Sequence, residues 1–303
     1  MPEIKVDHLT KNYGLGRGVF DVSFDVGQGE CFGYLGPNGA GKTTTIRRIM
    51  GFSRPGSGSC SVSGLDSRKN AAVIQRNVGY LPGEIALPSG LTGTEFLDMM
   101  AKLRGMKRRE HLDMLLDRFE LDPNIGTKKM SLGVKRKLAI VAAFMHDPGI
   151  LVLDEPTSGL DPVMQDVFVQ YILSEKKRGK TILLSSHIFS EVDATCDRIA
   201  IIKDGRIVSE FAADDLKKRS DKVYQIEFAT AEAYSDFVRL GWELSMNLPD
   251  KRKVKVLVND RDINRLIRDT APLPMLYIKE IKFTLEDYFM KFYREDKSFA
   301  GVK

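Results

Sequence analysis

Short, fully apolar runs ended by polar residues alternate with segments of helical spacing through much of the chain. Cys31 to Leu35 is followed by Thr44 to Met50, Ile150 to Leu153 by Pro162 to Lys177, and Thr181 to Leu184 by Ile188 to Thr195. Strands apolar on both faces, each leading into a helix, predict a mainly parallel sheet covered on both sides. Ligands of such sheets sit outside the carboxyl ends of the strands. The runs stop there at Gly36, at Asp154 and Glu155, and at Ser185, Ser186 and His187. Three distant parts of the sequence are therefore expected to meet at one site.

Elsewhere the pattern changes. The opening MPEIKVDHLTK alternates polar and apolar residues as a strand would, and residues 85–129 interrupt the sheet pattern with two helical segments. In Thr92 to Arg104 one stripe holds Phe96, Leu97, Met100 and Leu103; in Arg109 to Glu120 another holds Leu112, Leu115, Leu116 and Phe119. Asp204-Gly205 marks a hairpin between Ile199 to Lys203 and Arg206 to Phe211. A helix ending near Lys218 closes this region, and the basic run Lys217 to Asp221 reads as a linker at 218–221. Beyond it, strands are expected at Val223 to Phe228, Val254 to Val258 and Met275 to Phe283, and helices at Ala231 to Leu240, Asp262 to Thr270 and LEDYFMKFY. That order predicts a small α+β domain of ferredoxin-like type over 222–303, in which Trp242 is a core residue.

Composition adds limits. A chain of 303 residues accommodates about two domains. Its 46 basic and 41 acidic residues are interspersed, with no long basic block carrying aromatics, so nucleic acid is not the expected partner. Cys31, Cys60 and Cys196 lack metal-ligand spacing and read as reduced thiols, the first two buried in strands. No segment resembles a signal peptide. The apolar run Leu138 to Met145 falls far short of the roughly 20 residues that span a bilayer. Any membrane part of the process is expected to reside in another chain.

The chemistry begins at Gly36-Pro37-Asn38-Gly39-Ala40-Gly41-Lys42-Thr43-Thr44, which fits the phosphate-loop pattern between a strand and a helix. Its glycines let backbone N–H groups turn toward phosphate oxygens, and the following helix presents its positive end to the same anion. Lys42 is expected to bridge the terminal phosphates and the Thr43 hydroxyl to bind Mg²⁺. At the next strand end, consecutive residues point to opposite sides, so Asp154 and Glu155 are expected to take different tasks. Asp154 is assigned to the Mg²⁺ shell and Glu155 to orienting or deprotonating the attacking water. His187 either caps its helix or hydrogen-bonds the terminal phosphate or the lytic water, and its place at the carboxyl edge favours the second role. Ser131 and Gly133 open a helix running to about Met145, whose N-terminal N–H groups suit an anion. Lys135, Arg136 and Lys137 follow; at most one faces a nucleotide, and two are expected to be solvated.

Taken in order, GPNGAGKTT, SLGV, ILVLDE, SGLD and His187 resemble the Walker A, signature, Walker B, D-loop and switch histidine of the ATP-binding subunit of an ABC transporter. The resemblance covers roughly residues 2–217. It implies an α/β P-loop NTPase core over 1–217, with an antiparallel β portion and a helical subdomain at about 85–145. It also implies a head-to-tail dimer, expected to be a homodimer, in which each ATP lies between one copy's Walker A and the other's signature. Ser131 and Gly133 would then serve the partner's nucleotide. Tyr13 matches the aromatic on which adenine stacks. Asp161 matches a residue that contacts the partner subunit, while Asp followed by Pro162 is also a strong helix start.

Two departures stand out. The usual LSGGQ reads Met130-Ser131-Leu132-Gly133-Val134, keeping the serine and second glycine but losing the first glycine and the glutamine. After Pro82 the family's glutamine is replaced by Gly83, so that Glu84 either reaches the Mg²⁺ or lytic water in its stead or is a polar loop residue. The resemblance further implies an integral membrane permease, docked in a groove formed by Ile85 to Leu91 and the Phe96 face, at the cytoplasmic side of the membrane. The tail resembles the appended domain of export-type, antibiotic-resistance ABC ATPases, with dimer stabilisation or regulation as its implied role. The alternatives are a soluble ABC ATPase acting on ribosomes or DNA and a weakly hydrolysing regulatory module. Neither a second cassette nor a long coiled-coil insertion is visible in the chain.

Overall fold

The computed structural model describes residues 2–54, 56–217 and 221–294. Residues 218–220, most of the expected linker, and residues 295–303 of the expected C-terminal domain lie outside the described set. The chain divides into two compact units, residues 1–213 and 214–303.

The first unit is built on a six-stranded sheet in the order Arg206–Ala212, Arg198–Lys203, Cys31–Leu35, Thr181–Ser186, Ile150–Asp154, Val78–Leu81. All neighbours are parallel except the first pair, the Asp204-Gly205 hairpin. Register brings the carboxyl ends level, with Leu35 beside Ser186, Ser185 beside Asp154 and Leu153 beside Leu81. The runs Cys31–Leu35 and Thr181–Ser186 are buried throughout, as strands covered on both faces must be.

An antiparallel sheet, ordered Arg17–Val26, Ile4–Gly14, Ser57–Val62, Leu65–Asp66, packs onto this one. Phe24 stacks on Phe32 with centroids 5.1 Å apart and planes 7° apart, joining the two sheets in one core with Ile46 and Ile49 of the Lys42–Ile49 helix. Of these four strands, Ile4–Gly14 and the Cys60 strand Ser57–Val62 were expected from the sequence, as was the phosphate-loop helix; the Ala71–Asn77 helix also lies in this region.

Helices Gly93–Arg104, Glu110–Arg118 and Leu132–Phe144 form the helical portion. A capping box fixes the first, Thr92 Oγ1 accepting from the Glu95 N–H while the Glu95 carboxylate accepts from the Thr92 N–H. Leu97, Leu112, Leu115 and Phe119 are buried, but Leu103 is 68% exposed and leaves the stripe expected of it. Phe119 and Phe144 meet the Tyr171 ring edge-on at 5.7 and 5.1 Å, tying these helices to Pro162–Lys177.

In the second unit the strands run in the order Leu244–Leu248, Lys253–Asn259, Asp221–Phe228, Met275–Ile281, all antiparallel. Helices Ala231–Arg239 and Ile263–Thr270 bury Phe237 and Leu266 against Ile226, Phe228, Val254, Val256 and Val258. This is the ferredoxin-like βαββαβ arrangement. Its edge strand Leu244–Leu248 escaped the sequence reading because only alternate residues are partly covered and none is buried. Trp242 packs against the core while its Nε1 donates to Asp269 at 3.1 Å and Arg265 lies over its ring at 4.5 Å.

Candidate nucleotide site at the strand ends

The Cys31–Leu35 strand leaves the sheet at Gly36, whose N–H donates to the Ser186 carbonyl at 3.3 Å. A side chain at Gly36 would place its Cβ 2.5 Å from the Ile202 carbonyl oxygen, and at Gly41, where φ is +109°, 2.5 Å from Val19 Cγ1. Glycine at both positions lets the loop lie against the sheet before Lys42 begins the helix. Lys42 is 5% exposed. Its Nζ donates to the carbonyls of Gly36 and, at 3.1 Å, Pro37, and forms an ion pair with Glu155 Oε1 at 2.9 Å.

Asp154 and Glu155 differ in surroundings, as expected, but strand alternation is not the whole reason. Asp154 ends its strand fully buried, with Oδ1 accepting from the Ser185 hydroxyl at 2.6 Å and Oδ2 without a partner. Glu155 has a left-handed backbone, φ +49°, and its N–H donates to the Ser185 carbonyl at 3.0 Å. Such a conformation is costly for a non-glycine residue. It turns the carboxylate off the sheet toward two partners, Lys42 and His187. His187 Nδ1 lies 2.6 Å from Glu155 Oε2, which assigns the proton to Nδ1 when the ring is neutral.

A cleft of about 540 Å³ is lined by Tyr13, Pro37, Asn38, Gly39, Gly41, Lys42, Thr43, Thr44 and Glu155, together with Arg17 and Gly18. Tyr13, from Ile4–Gly14 of the antiparallel sheet, is thus brought to the phosphate loop, with the residue 58% exposed. Arg17 and Gly18 belong to the strand Arg17–Val26, paired with Ile4–Gly14, and carried no motif by which sequence could have found them. The unpartnered, buried Asp154 Oδ2 is an acceptor of the kind a hard cation takes, and the glycine cradle with Lys42 fits a phosphate chain.

Ser131 and Gly133 do not line this cleft. Ser131 caps the Leu132–Phe144 helix, its Oγ accepting from the Val134 N–H at 3.3 Å, and a Cβ at Gly133 would lie 3.1 Å from the Gly159 carbonyl oxygen. Asp161 likewise caps the Pro162–Lys177 helix through the Met164 N–H at 3.0 Å. Glu84 is exposed and outside the cleft lining, whereas a Cβ at Gly83 would sit 3.0 Å from Asp154 Oδ2. The loop is therefore beside the site at Gly83 itself.

The three cations after the signature correct the expectation that two are simply solvated. Lys135 and Lys137 are half-buried, and Arg136 is 3% exposed. Its guanidinium donates to three carbonyls, from Nε to Ser158 at 2.9 Å, from Nη1 to Pro82 at 3.0 Å and from Nη2 to Gly83 at 2.7 Å. Burial lowers its pKa, opposed by the charges of Asp154 and Glu155. The signal was available in spacing: Arg136 shares a helix face with the buried Ala139, Ile140 and Ala143. Nearby, Glu191 is 4% exposed and accepts from the Ser186 hydroxyl at 2.7 Å; burial pushes its carboxyl up to about 7.

Residues 19–158 match the family model described as ABC transporter. The chain is 35% identical to the bacitracin transport ATP-binding protein BcrA of Bacillus licheniformis, over 95% of its own length and 96% of that protein's. It is 36% identical to the Nod factor export ATP-binding protein I of Rhizobium etli, over 92% and 93% of the two chains. A solved ATP-binding subunit of an ABC transporter superposes with a TM-score of 0.66 at 32% identity, covering 71% of this chain and 92% of that one. A dimeric bacterial ABC transporter cassette, at 24% identity and a TM-score of 0.63, shares the fold.

Proposed function

The chain belongs to the ABC transporter family as an ATP-binding subunit, and we propose that it hydrolyses MgATP in a dimer to drive export through a separate integral membrane permease. The observation that carries the catalytic reading is the convergence of Lys42 and His187 on the two oxygens of Glu155 at the mouth of the phosphate-loop cleft. Lys42 and the loop N–H groups of Gly36 to Thr44 hold the phosphates, and Tyr13 stacks on adenine. Thr43 and Asp154 are the metal-holding residues, and bound Mg²⁺ would offset charge on the transferring phosphoryl group. Glu155 takes the proton of the attacking water, with His187 keeping its carboxylate in place.

Ser131 and Gly133 serve the nucleotide of a second copy, which agrees with their position outside the chain's own cleft. The kinship to proteins named for bacitracin transport and Nod factor export supports export as the direction. No described helix is long and apolar enough to cross a membrane. In this reading the permease is a separate chain, and this subunit docks on its cytoplasmic side. The Ile85 to Leu91 segment and Phe96 form the docking groove, Glu84 flanks the site, and the second unit stabilises or regulates the dimer.

The test is ATP turnover together with recovery of the native complex. Glu155→Gln is expected to bind ATP but turn it over at least about 100-fold more slowly, and the wild-type chain is expected to copurify with an integral membrane protein. Turnover unchanged in Glu155→Gln would overturn the catalytic assignment. Copurification with ribosomes or DNA instead would overturn the transport assignment.

A further inference from the structure

At the far end of the helix that begins with Lys42 lies a second cleft, of about 450 Å³, sharing no lining residue with the first. Arg48, in that helix's last turn, forms part of its wall and is 3% exposed. Among the described residues none of its three guanidinium nitrogens has a hydrogen-bond partner, and they are covered from bulk water. A guanidinium offers five N–H donors in a fixed fork, and a buried charge without a partner carries a large desolvation cost. The hydroxyls of Ser53 and Ser67, which line the same cleft, are also buried without partners.

Among the described residues no carboxylate answers Arg48. The carboxylate lining the cleft, Asp66, is taken up by its own turn, Oδ1 accepting the N–H groups of Arg68 at 3.0 Å and Lys69 at 2.8 Å. Burial pushes the neighbouring Cys60 thiol up to about 12, so it is neutral at physiological pH. Arg68 and Lys69 are exposed at the cleft. Its lining therefore carries three cations against one engaged carboxylate. Hydroxyls and a forked cation are the donor set that recognises a tetrahedral oxyanion.

We propose that this cleft is a second anion site, in which Arg48, Ser53 and Ser67 take the phosphate group of a small phosphorylated ligand while Arg68 and Lys69 draw it in. The volume leaves room for more than the phosphate alone. The proposal does not depend on the catalytic reading. It concerns different residues and a different end of the helix.

Calorimetric titration with inorganic phosphate tests it, using the full chain saturated with Mg²⁺ and a non-hydrolysable ATP analogue so that the phosphate loop is filled. Wild type is expected to bind one phosphate, with affinity about tenfold or more weaker in Arg48→Met, from loss of a charge-assisted donor pair. The double variant Arg68→Ala/Lys69→Ala, altered only at exposed positions, is expected to fold normally and to show slower or weaker, less salt-dependent binding. Absence of phosphate binding by wild type would mean that water alone satisfies Arg48 and would overturn the proposal. So would equal affinity in Arg48→Met and wild type. Glycerol 3-phosphate and vesicles containing phosphatidic acid separate the sources. Arg48-dependent binding of the former assigns a soluble ligand; Arg48-dependent binding of the vesicles alone assigns a lipid headgroup.

Discussion

Arg136 donates from Nη2 to the carbonyl oxygen of Gly83 at 2.7 Å, across 53 residues of sequence. The same guanidinium holds Pro82 and Ser158, so one side chain of the signature helix pins two loops that flank Asp154 and Glu155. Arg136→Met keeps the apolar stem but leaves three carbonyls without their donor. Thermal unfolding is expected to report a loss of about 1–3 kcal/mol. ATP turnover is expected to fall by about 10- to 100-fold through misplacement of the loops, with ATP binding much less affected. Arg136→Lys, which keeps the charge but not the fork, is expected to lie between the two.

Replacement of His187 by Ala should act through Glu155 and not through the phosphates. Steady-state kinetics are expected to show a lower kcat at nearly unchanged ATP affinity. In a Glu155→Gln background the additional loss on removing His187 is expected to be small, because the carboxylate that it positions is gone.

Two glycines of the phosphate loop should respond differently. Gly41→Ala meets Val19 Cγ1 at 2.5 Å with φ at +109°, and is expected to abolish tight ATP binding and to lower the unfolding temperature. Gly39→Ala has open space around its Cβ and bears only the strain of φ +83°, so its unfolding temperature is expected to fall less. Nucleotide titration and thermal unfolding of both variants provide the comparison.

Glu191 should impose a pH dependence on stability. Its carboxyl is raised by burial from 4.5 to about 7, so the folded chain holds the proton where the unfolded chain has released it. The associated stability is fully present below about pH 4.5 and declines as pH rises to about 7, by up to roughly 3 kcal/mol. Glu191→Gln, with a neutral side chain at every pH, is expected to lose that slope while keeping the fold. Denaturant unfolding between pH 5 and 8 measures the difference.

Removal of the second unit, by truncation after residue 217, should leave the first unit's core intact, since each unit packs its own. The truncated chain is expected to fold and to bind ATP, with weaker dimerisation or altered turnover. Unchanged dimerisation, turnover and transport would remove the role proposed for this unit.

Much of the architecture was legible because its signals are local. The apolar strands, the phosphate loop and the helix starts at Ser131 and Asp161 depend on alternation, glycine and capping within a few residues, and they appear where the pattern placed them. What sequence could not supply was distance between remote segments. Strand register brought Lys42, Glu155 and His187 together, and the antiparallel sheet carried Tyr13 and Arg17 to their cleft. Charge was the other blind spot. Arg136 stood among three cations of which two were expected to be solvated, and Arg48 carried no motif, yet tertiary packing buries both, one with three carbonyls and the other, among the described residues, with none. A charged side chain's partners are chosen by the fold around it, because burial sets the cost that those partners must offset.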